Sequence, residues 1–160
     1  MATIEDLRMA HRLFMKAYRY RSVDWHPGAR LTKPLSKAAL VIISTAGLHL
    51  PNQAPFDETV KGGDPSFREL PDAVDVKELE IAHRSSAFDQ TGIRQDRNLA
   101  FPLDPCRELV AQGRLGALNE RHFSFMGSIT KPDRLITETA PEVAAKLQQD
   151  KVDAALLLPV

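Results

Sequence analysis

Residues Ala38 to Ser44 read Ala-Ala-Leu-Val-Ile-Ile-Ser, a short, uninterrupted apolar run rich in β-branched side chains. A strand with one face in water alternates apolar and polar residues, whereas a run without alternation needs cover on both faces. Such a run is a central strand of a sheet with helices on its two sides, which places the chain in the α/β class. With 160 residues, 43% of them hydrophobic, the chain can bury roughly two thirds of its unfolded surface in one core without disulfides or a structural metal.

The segments around this strand follow from periodicity and punctuation. Ile4, Leu7, Ala10, Leu13, Phe14, Ala17 and Tyr18 recur at three- and four-residue spacing after a Thr3 cap, predicting an amphipathic helix over about residues 4 to 18. Residues 20–37 mix Trp25, His26, Pro27, Gly28 and Pro34 with basic side chains and show no period. Residues 1–37 are therefore read as a helix and a basic, irregular arm, and residues 38–160 as the α/β domain. Pro51, Pro55, Gly62, Gly63, Pro65 and Pro71 predict a long loop after the first strand. Glu78 to His83 is a weak strand candidate and Asn98 to Phe101 a short one.

The signals then become regular. Asp104 as cap, Pro105 at the first helical position and Gly113 as stop bracket a helix with Leu109 and Val110 on its apolar face. Arg121 to Met126 reads as a strand, with Phe123 and Phe125 on one face and His122 and Ser124 on the other. Thr139 and Glu142 form a capping box for a helix over about residues 140 to 150, with Val143, Ala144 and Leu147 inward. Val152 to Leu158 reads as a second buried strand. This alternation is the pattern of successive crossovers, so the expected fold is a mostly parallel, Rossmann-like or flavodoxin-like sheet with flanking helices, ending after a central strand.

Composition narrows the functional classes. The 21 basic and 21 acidic residues cancel, which argues against bulk nucleic-acid binding. Residues 1–37 nevertheless hold eight Lys or Arg against Glu5, Asp6 and Asp24, a local balance of +5. No recognition motif surrounds the stretch Tyr18-Arg19-Tyr20-Arg21, so it is read as a solvated or partner-facing arm. No segment approaches the roughly 18 to 20 apolar residues of a membrane span, and the amino terminus lacks a secretory layout. The single cysteine, Cys106, excludes a disulfide framework and a thiolate-rich zinc site, and suits a reducing, cytoplasmic setting. Histidines 11, 26, 49, 83 and 122 show no metal-ligand spacing.

In open parallel sheets ligands sit beyond the carboxyl ends of the strands, which directs attention to Ser44–His49, Met126–Thr130 and whatever follows Leu158. Ser44-Thr45-Ala46-Gly47 lacks the glycine spacing and the following helix of a dinucleotide loop. Ser44 and His49 are either a nucleophile and base or ordinary turn residues. His122 is either an acid, base or orienting donor, or a hydrogen-bonded core histidine. Gly127 marks a tight turn or a close backbone approach. Cys106 shares spacing with Leu109 and Val110 and is read as an inert core thiol.

Taken together, several segments resemble the selenoprotein B subunits of glycine, sarcosine, betaine and D-proline reductases, especially a short D-proline-reductase-like branch. They are Arg30-Leu31-Thr32-Lys33-Pro34-Leu35-Ser36, Ser44-Thr45-Ala46-Gly47-Leu48-His49-Leu50-Pro51, Pro55-Phe56-Asp57, Gly63-Asp64-Pro65-Ser66-Phe67-Arg68, Phe101-Pro102-Leu103-Asp104, Arg121-His122-Phe123-Ser124-Phe125-Met126-Gly127 and Thr139-Ala140-Pro141-Glu142-Val143-Ala144. The resemblance implies reductive cleavage of a carbon–nitrogen bond in a small amino-acid-like substrate. In that family a strand similar to Val152–Val160 leads into a cysteine or selenocysteine, so the nucleophile is expected to follow Val160, with the present residues an inactive fragment ending at a recoded UGA. The resemblance further implies a pyruvoyl group on a partner subunit and no cofactor held by this chain. His49 and His122 match motif positions and are the expected catalytic groups, with Ser44, Gly47, Arg121 and Ser128 lining the site. Two other readings stay open: a non-catalytic scaffold module that docks a partner subunit through residues 1–37, and a selenium-independent isomerase-like or decarboxylase-like enzyme using His49 or His122. An uncovered final strand would also favour self-association into a homo-oligomer and binding of hydrophobic dye.

Overall fold

The computed structural model, described over residues 9–18 and 28–160, is organised around β1 (Ala39–Ser44). On one side β1 runs parallel to β5 (Ala117–Leu118) and then β6 (Arg121–Phe125); on the other it runs parallel to β7 (Ala154–Leu158). The outer side of β6 pairs antiparallel with β3 (Phe67–Pro71). A separate two-stranded ribbon joins β2 (Leu48–His49) to β4 (Glu80–Ile81). Both faces of β1 are covered, as its sequence requires. Ile42 packs with Leu70, Phe101 and Leu103 on one face, and Val41 packs with Phe123, Phe125 and Val143 on the other. The first face is closed by α2 (Thr91–Gln95) and α3 (Leu103–Ala111), the second by α4 (Ala140–Gln149). The α/β class with a mostly parallel sheet is therefore the observed one.

The chain divides into two units, Met1–Arg30 and Leu31–Val160. The first contains α1 (Met9–Ala17); Thr3, the first turn expected from Ile4, and the aromatic arm around Trp25 lie outside the described residues. Among the described residues no helix is long and apolar enough to cross a membrane.

Several local expectations need correction. The long loop contains β3, whose Phe-Arg-Glu-Leu-Pro sequence has only Leu70 fully buried and forms a strand through pairing with β6. Residues Arg97–Leu99 are a 3-10 turn, with the Asp96 carboxylate accepting from the Asn98 N–H at 2.9 Å, rather than a strand from Asn98 to Phe101. That turn lets Asn98 Oδ1 accept from the Asp104 N–H at 3.1 Å, so Asn98 caps α3 where Asp104 was expected to, and Pro105 is its third residue. Thr139 has helical dihedrals (φ −77°, ψ −36°) and makes no capping bond. It ends a π-helical turn, Leu135–Thr139, that runs straight into α4.

The final strand differs most. β7 lies at the sheet's edge rather than at its centre, and Ala155, Leu156 and Leu157 are exposed. Its apolar sequence meets β1 along one side only.

The stretch between β2 and β3 is held by its own motifs. Asp64 accepts from the Asp57 and Ser66 N–H groups, each at 2.9 Å. The Arg68 guanidinium donates to the Ala54 and Pro55 carbonyls and lies 4.3 Å above the Phe56 ring, an arrangement that adds cation–π attraction to charge-assisted hydrogen bonds. The Gly62 carbonyl accepts from the Thr130 and Lys131 N–H groups at 2.8 and 3.1 Å, latching this segment to the loop after β6.

These placements set the energetic ranking of the strands. Phe123→Ala, in the fully buried layer, is expected to lower the unfolding free energy by about 3–5 kcal/mol. Leu157→Ala, at a side chain 65% exposed, should cost less than about 1 kcal/mol. Urea unfolding followed by circular dichroism measures both, and equal losses would contradict the edge position of β7.

Candidate functional site

The parallel strands β1, β6 and β7 end at a common edge, and short hydrogen bonds gather their continuations. The Thr45 N–H donates to the Leu158 carbonyl at 3.1 Å, and the Val160 N–H donates to Thr45 Oγ1 at 3.0 Å. The Gly47 N–H donates to the Phe125 carbonyl at 2.8 Å, and the Ala82 N–H donates to the Gly47 carbonyl at 2.9 Å. Gly47 has φ +69°, and a Cβ there would collide with the Ala82 carbonyl oxygen. Gly127, also at φ +69°, would place a Cβ 2.6 Å from the Thr45 carbonyl oxygen and 3.1 Å from His83 Nε2. Glycine at both positions therefore permits close approach of three chain segments. Ser128 follows with φ 49°, a left-handed conformation that is uncommon for a residue with a side chain and concentrates at ligand sites.

His83 lies at this edge, just beyond β4, and only 7% of its surface is accessible. The Ser85 N–H donates to His83 Nδ1 at 3.1 Å, so in the neutral ring the proton is on Nε2. That buried Nε2 has no hydrogen-bond partner. The Phe88 ring packs against the imidazole at a centroid distance of 4.5 Å. Burial lowers the His83 pKa, with nearby Glu58 acting weakly in the opposite direction, so the ring is held toward its neutral, donor form. It lines a cavity of about 310 Å³ with Ser85, Phe88, Asp89, Ser128 and Val160. Gly127 lines a second cavity of about 490 Å³, almost wholly apolar, between Phe125, Val143, Leu147 and Leu157.

The residues singled out from sequence divide between this edge and the rest of the sheet. Gly47 and Ser128 belong to it. Ser44 is fully buried and its Oγ accepts from the Ala46 N–H at 3.2 Å, shaping the turn. His49 Nδ1 donates to the Leu50 carbonyl at 2.9 Å, and its Nε2 is 3.9 Å from Glu80; Ser44 and His49 thus each bond elsewhere.

Arg121 and His122 stand at the opposite, amino end of β6, roughly 20 Å from Gly127 at the usual rise per residue. Arg121 forms two 2.7 Å bonds to the Asp150 carboxylate, beside an open polar cleft with Asn119 and Glu120. Those bonds and Asn119 hold the Asp150 pKa below the ordinary range. His122 is wholly buried; its Nδ1 accepts from the Ile42 N–H at 3.1 Å, its Nε2 faces Asp72 at 3.5 Å, and Phe101 meets the ring edge-on. It ties the centre of β1 to β6, while its Nε2 and Asp72 Oδ1 are both buried without a hydrogen-bond partner. Cys106 is buried on α3, and burial pushes its thiol pKa up. Among the described residues no group of His, Cys, Asp and Glu is placed to hold a metal ion.

His83 stood in the sequence at the end of a weak strand candidate, with no partner motif. What marks it is the ribbon β2–β4, which carries it to the edge of the main sheet, and no local periodicity encodes that contact.

Burial gives His83 and His122 a shared pH signature, since it lowers both pKa values, although Asp72 partly offsets it at His122. The unfolded chain then binds more protons than the folded one as pH falls past about 6.5, the ordinary histidine value. Their contribution to stability is complete above that pH and is lost progressively below it. Urea midpoints are expected to decline from pH 7.5 to 5, with a shallower decline in His83→Gln; an unchanged slope in that variant would contradict the buried neutral ring.

Comparison with known proteins matches this chain over residues 7–159 to the family described as glycine/sarcosine/betaine reductase selenoprotein B. It is 32% identical over 133 residues to the D-proline reductase subunit gamma of Acetoanaerobium sticklandii, covering 83% of this chain and 52% of that protein. It is 27% identical to the glycine reductase complex component B subunit gamma of Carboxydothermus hydrogenoformans and 26% identical to the betaine reductase complex component B subunit beta of Peptoclostridium acidaminophilum. Each of these two matches covers 78% of this chain and 28% of the relative. No solved structure matches the chain. The chain spans about half the length of the first relative and under a third of the other two. With nearly all of its residues matched, the chain belongs to the glycine/sarcosine/betaine reductase selenoprotein B family.

Proposed function

We propose that this chain forms part of a reductase subunit that cleaves a carbon–nitrogen bond in glycine, sarcosine, betaine, D-proline or a similar small substrate. The observation that carries the reading is the convergence of Thr45, Gly127, Ser128 and the end of β7 beside the unpartnered His83 N–H, in a chain of this family. The nucleophile is a cysteine or selenocysteine that follows Val160 in the full-length subunit. Residues 1–160 do not supply it, because their one cysteine is buried with a raised pKa, whereas reactive thiols are accessible and acidic. By themselves these residues are an inactive scaffold for the reaction.

The net change is a two-electron reduction. The C–N bond breaks, carbon and nitrogen each gain a hydrogen, and a dithiol donor closes to a disulfide. A pyruvoyl group on a partner subunit supplies a carbonyl for binding the substrate amine in glycine- and D-proline-type systems. This chain's own residues do the following. Gly47 and Gly127 keep side chains out of the corner, Phe88 packs on the His83 ring at the cavity's edge, and Ser85, Asp89 and Ser128 are the polar residues along its wall. The need for a free thiolate or selenolate places the reaction in a reducing, cytoplasmic compartment.

The test compares the full-length subunit with residues 1–160, each reconstituted with its partner subunit and a dithiol, on the four substrates in parallel. Amine release or proline ring opening is expected from the full-length subunit alone. Turnover by residues 1–160 that is lost in His122→Ala would overturn this reading in favour of selenium-independent catalysis.

A further inference from the structure

We propose that His122 is a two-position latch between β1 and β6: the neutral ring supplies the acceptor that a bulge takes away from the Ile42 N–H, and the protonated ring releases β1 and turns to Asp72. Three features of the structure lead to it.

The first is a break in the ladder. Ala39 and Leu40 of β1 face Ala117 and Leu118, whereas Ile43 and Ser44 face Phe123 and Ser124. Residues 119–122 therefore lie opposite Val41 and Ile42 alone, a bulge of two extra residues. In a regular parallel ladder Asn119 would bond through its N–H to the Leu40 carbonyl and through its carbonyl to the Ile42 N–H. The first bond forms, at 2.9 Å; in place of the second, the Ile42 N–H donates to His122 Nδ1 at 3.1 Å. The second feature is the protonation state this bond demands. A ring nitrogen that accepts carries no proton, so the bond exists only for a neutral ring with its proton on Nε2. Protonation sets N–H against N–H, and both residues are completely buried, so no water replaces the lost acceptor. The third is an unfilled second position. His122 Nε2 and Asp72 Oδ1 face each other at 3.5 Å, both buried and neither hydrogen-bonded. A shift of about 0.7 Å closes that gap to a charge-assisted bond once the ring is cationic.

The groups around the ring set the direction of the pH response. Burial opposes the cation most strongly, Asp72 in the segment after β3 favours it, and Arg107 of α3 opposes it. Arg107 donates to the Asp104 carboxylate and to the Asp72 and Val74 carbonyls, which fixes Asp72 opposite the ring. Phe101, edge-on to the imidazole, and Leu70, its partner on β3, carry no charge. The ring is thus neutral at pH 7 and above, and the latch releases as pH falls below about 6.5, the ordinary histidine value.

The experiment measures amide hydrogen exchange of the intact chain by NMR from pH 8 to 5, with rates corrected for the intrinsic effect of pH. The Ile42 amide is expected to lose protection about tenfold per pH unit below the midpoint. The Asn119 and Thr45 amides, bonded to the Leu40 and Leu158 carbonyls, should hold theirs. Asp72→Asn, which keeps the shape and removes the attraction, should move the midpoint down by about one pH unit. His122→Asn, which keeps an acceptor near the Nδ1 position without titrating, should make Ile42 protection independent of pH. Equal losses at Ile42, Asn119 and Thr45, an unmoved midpoint in Asp72→Asn, or a pH-dependent Ile42 amide in His122→Asn would overturn the latch. As a check that needs no variant, nitrogen NMR should show an unprotonated His122 Nδ1 at pH 8 that gains its proton over the range in which Ile42 opens; a proton on Nδ1 at pH 8 would equally overturn it.

Discussion

The cover over both faces of β1 is the constraint on which the rest of the structure depends. Val41 and Ile42 point in opposite directions and both are completely buried, so layers must form on each side of the sheet. That requirement recruits α3 with Phe101 and Leu103 to one face, and α4 with Val143 to the other. It also orients the strands. β5, β6 and β7 all run parallel to β1, and parallel strands present their carboxyl ends together. The meeting of Thr45, Gly127 and Val160 is a consequence of that common direction.

Polar groups at the two ends of β6 have different fates. At its amino end, Arg121 is held by Asp150 and Glu69, and His122 by the Ile42 amide with Asp72 opposite. These contacts fix register, although His122 Nε2 and Asp72 Oδ1 face each other at 3.5 Å without a hydrogen bond. At its carboxyl end, two left-handed residues and a buried histidine without an Nε2 partner leave donors and space unassigned. An unpartnered histidine nitrogen occurs at both ends of β6, so what separates the carboxyl end is the left-handed backbone of Gly127 and Ser128, a strain that collects at ligand sites.

Legibility in the sequence followed the range of the interactions. The central strand, the α3 and α4 helices and β6 all announce themselves by apolar runs, spacing or glycine stops within a few residues. β3 does not, because Phe67-Arg-Glu-Leu-Pro becomes a strand only against β6. The cap of α3 is not legible locally, because Asn98 acts from six residues away. The apolar content of β7 suggested burial, but composition alone does not say whether a strand has one neighbour or two. Within the candidate site, Gly47 and Ser128 were legible as turn residues next to strands. His83 was not, since the ribbon of β2 and β4 delivers it to the sheet edge through a contact between segments more than thirty residues apart.

The central claim is that chemistry takes place at the carboxyl edge of β1, β6 and β7. The most direct test is the structure of the assembled full-length reductase with a non-reactive substrate analogue bound. The account predicts the analogue within contact distance of the residue that follows β7, with His83 and Ser128 at the wall of the same cavity. An analogue seated instead in the cleft of Asn119, Glu120 and Arg121, at the amino end of β6, would contradict it.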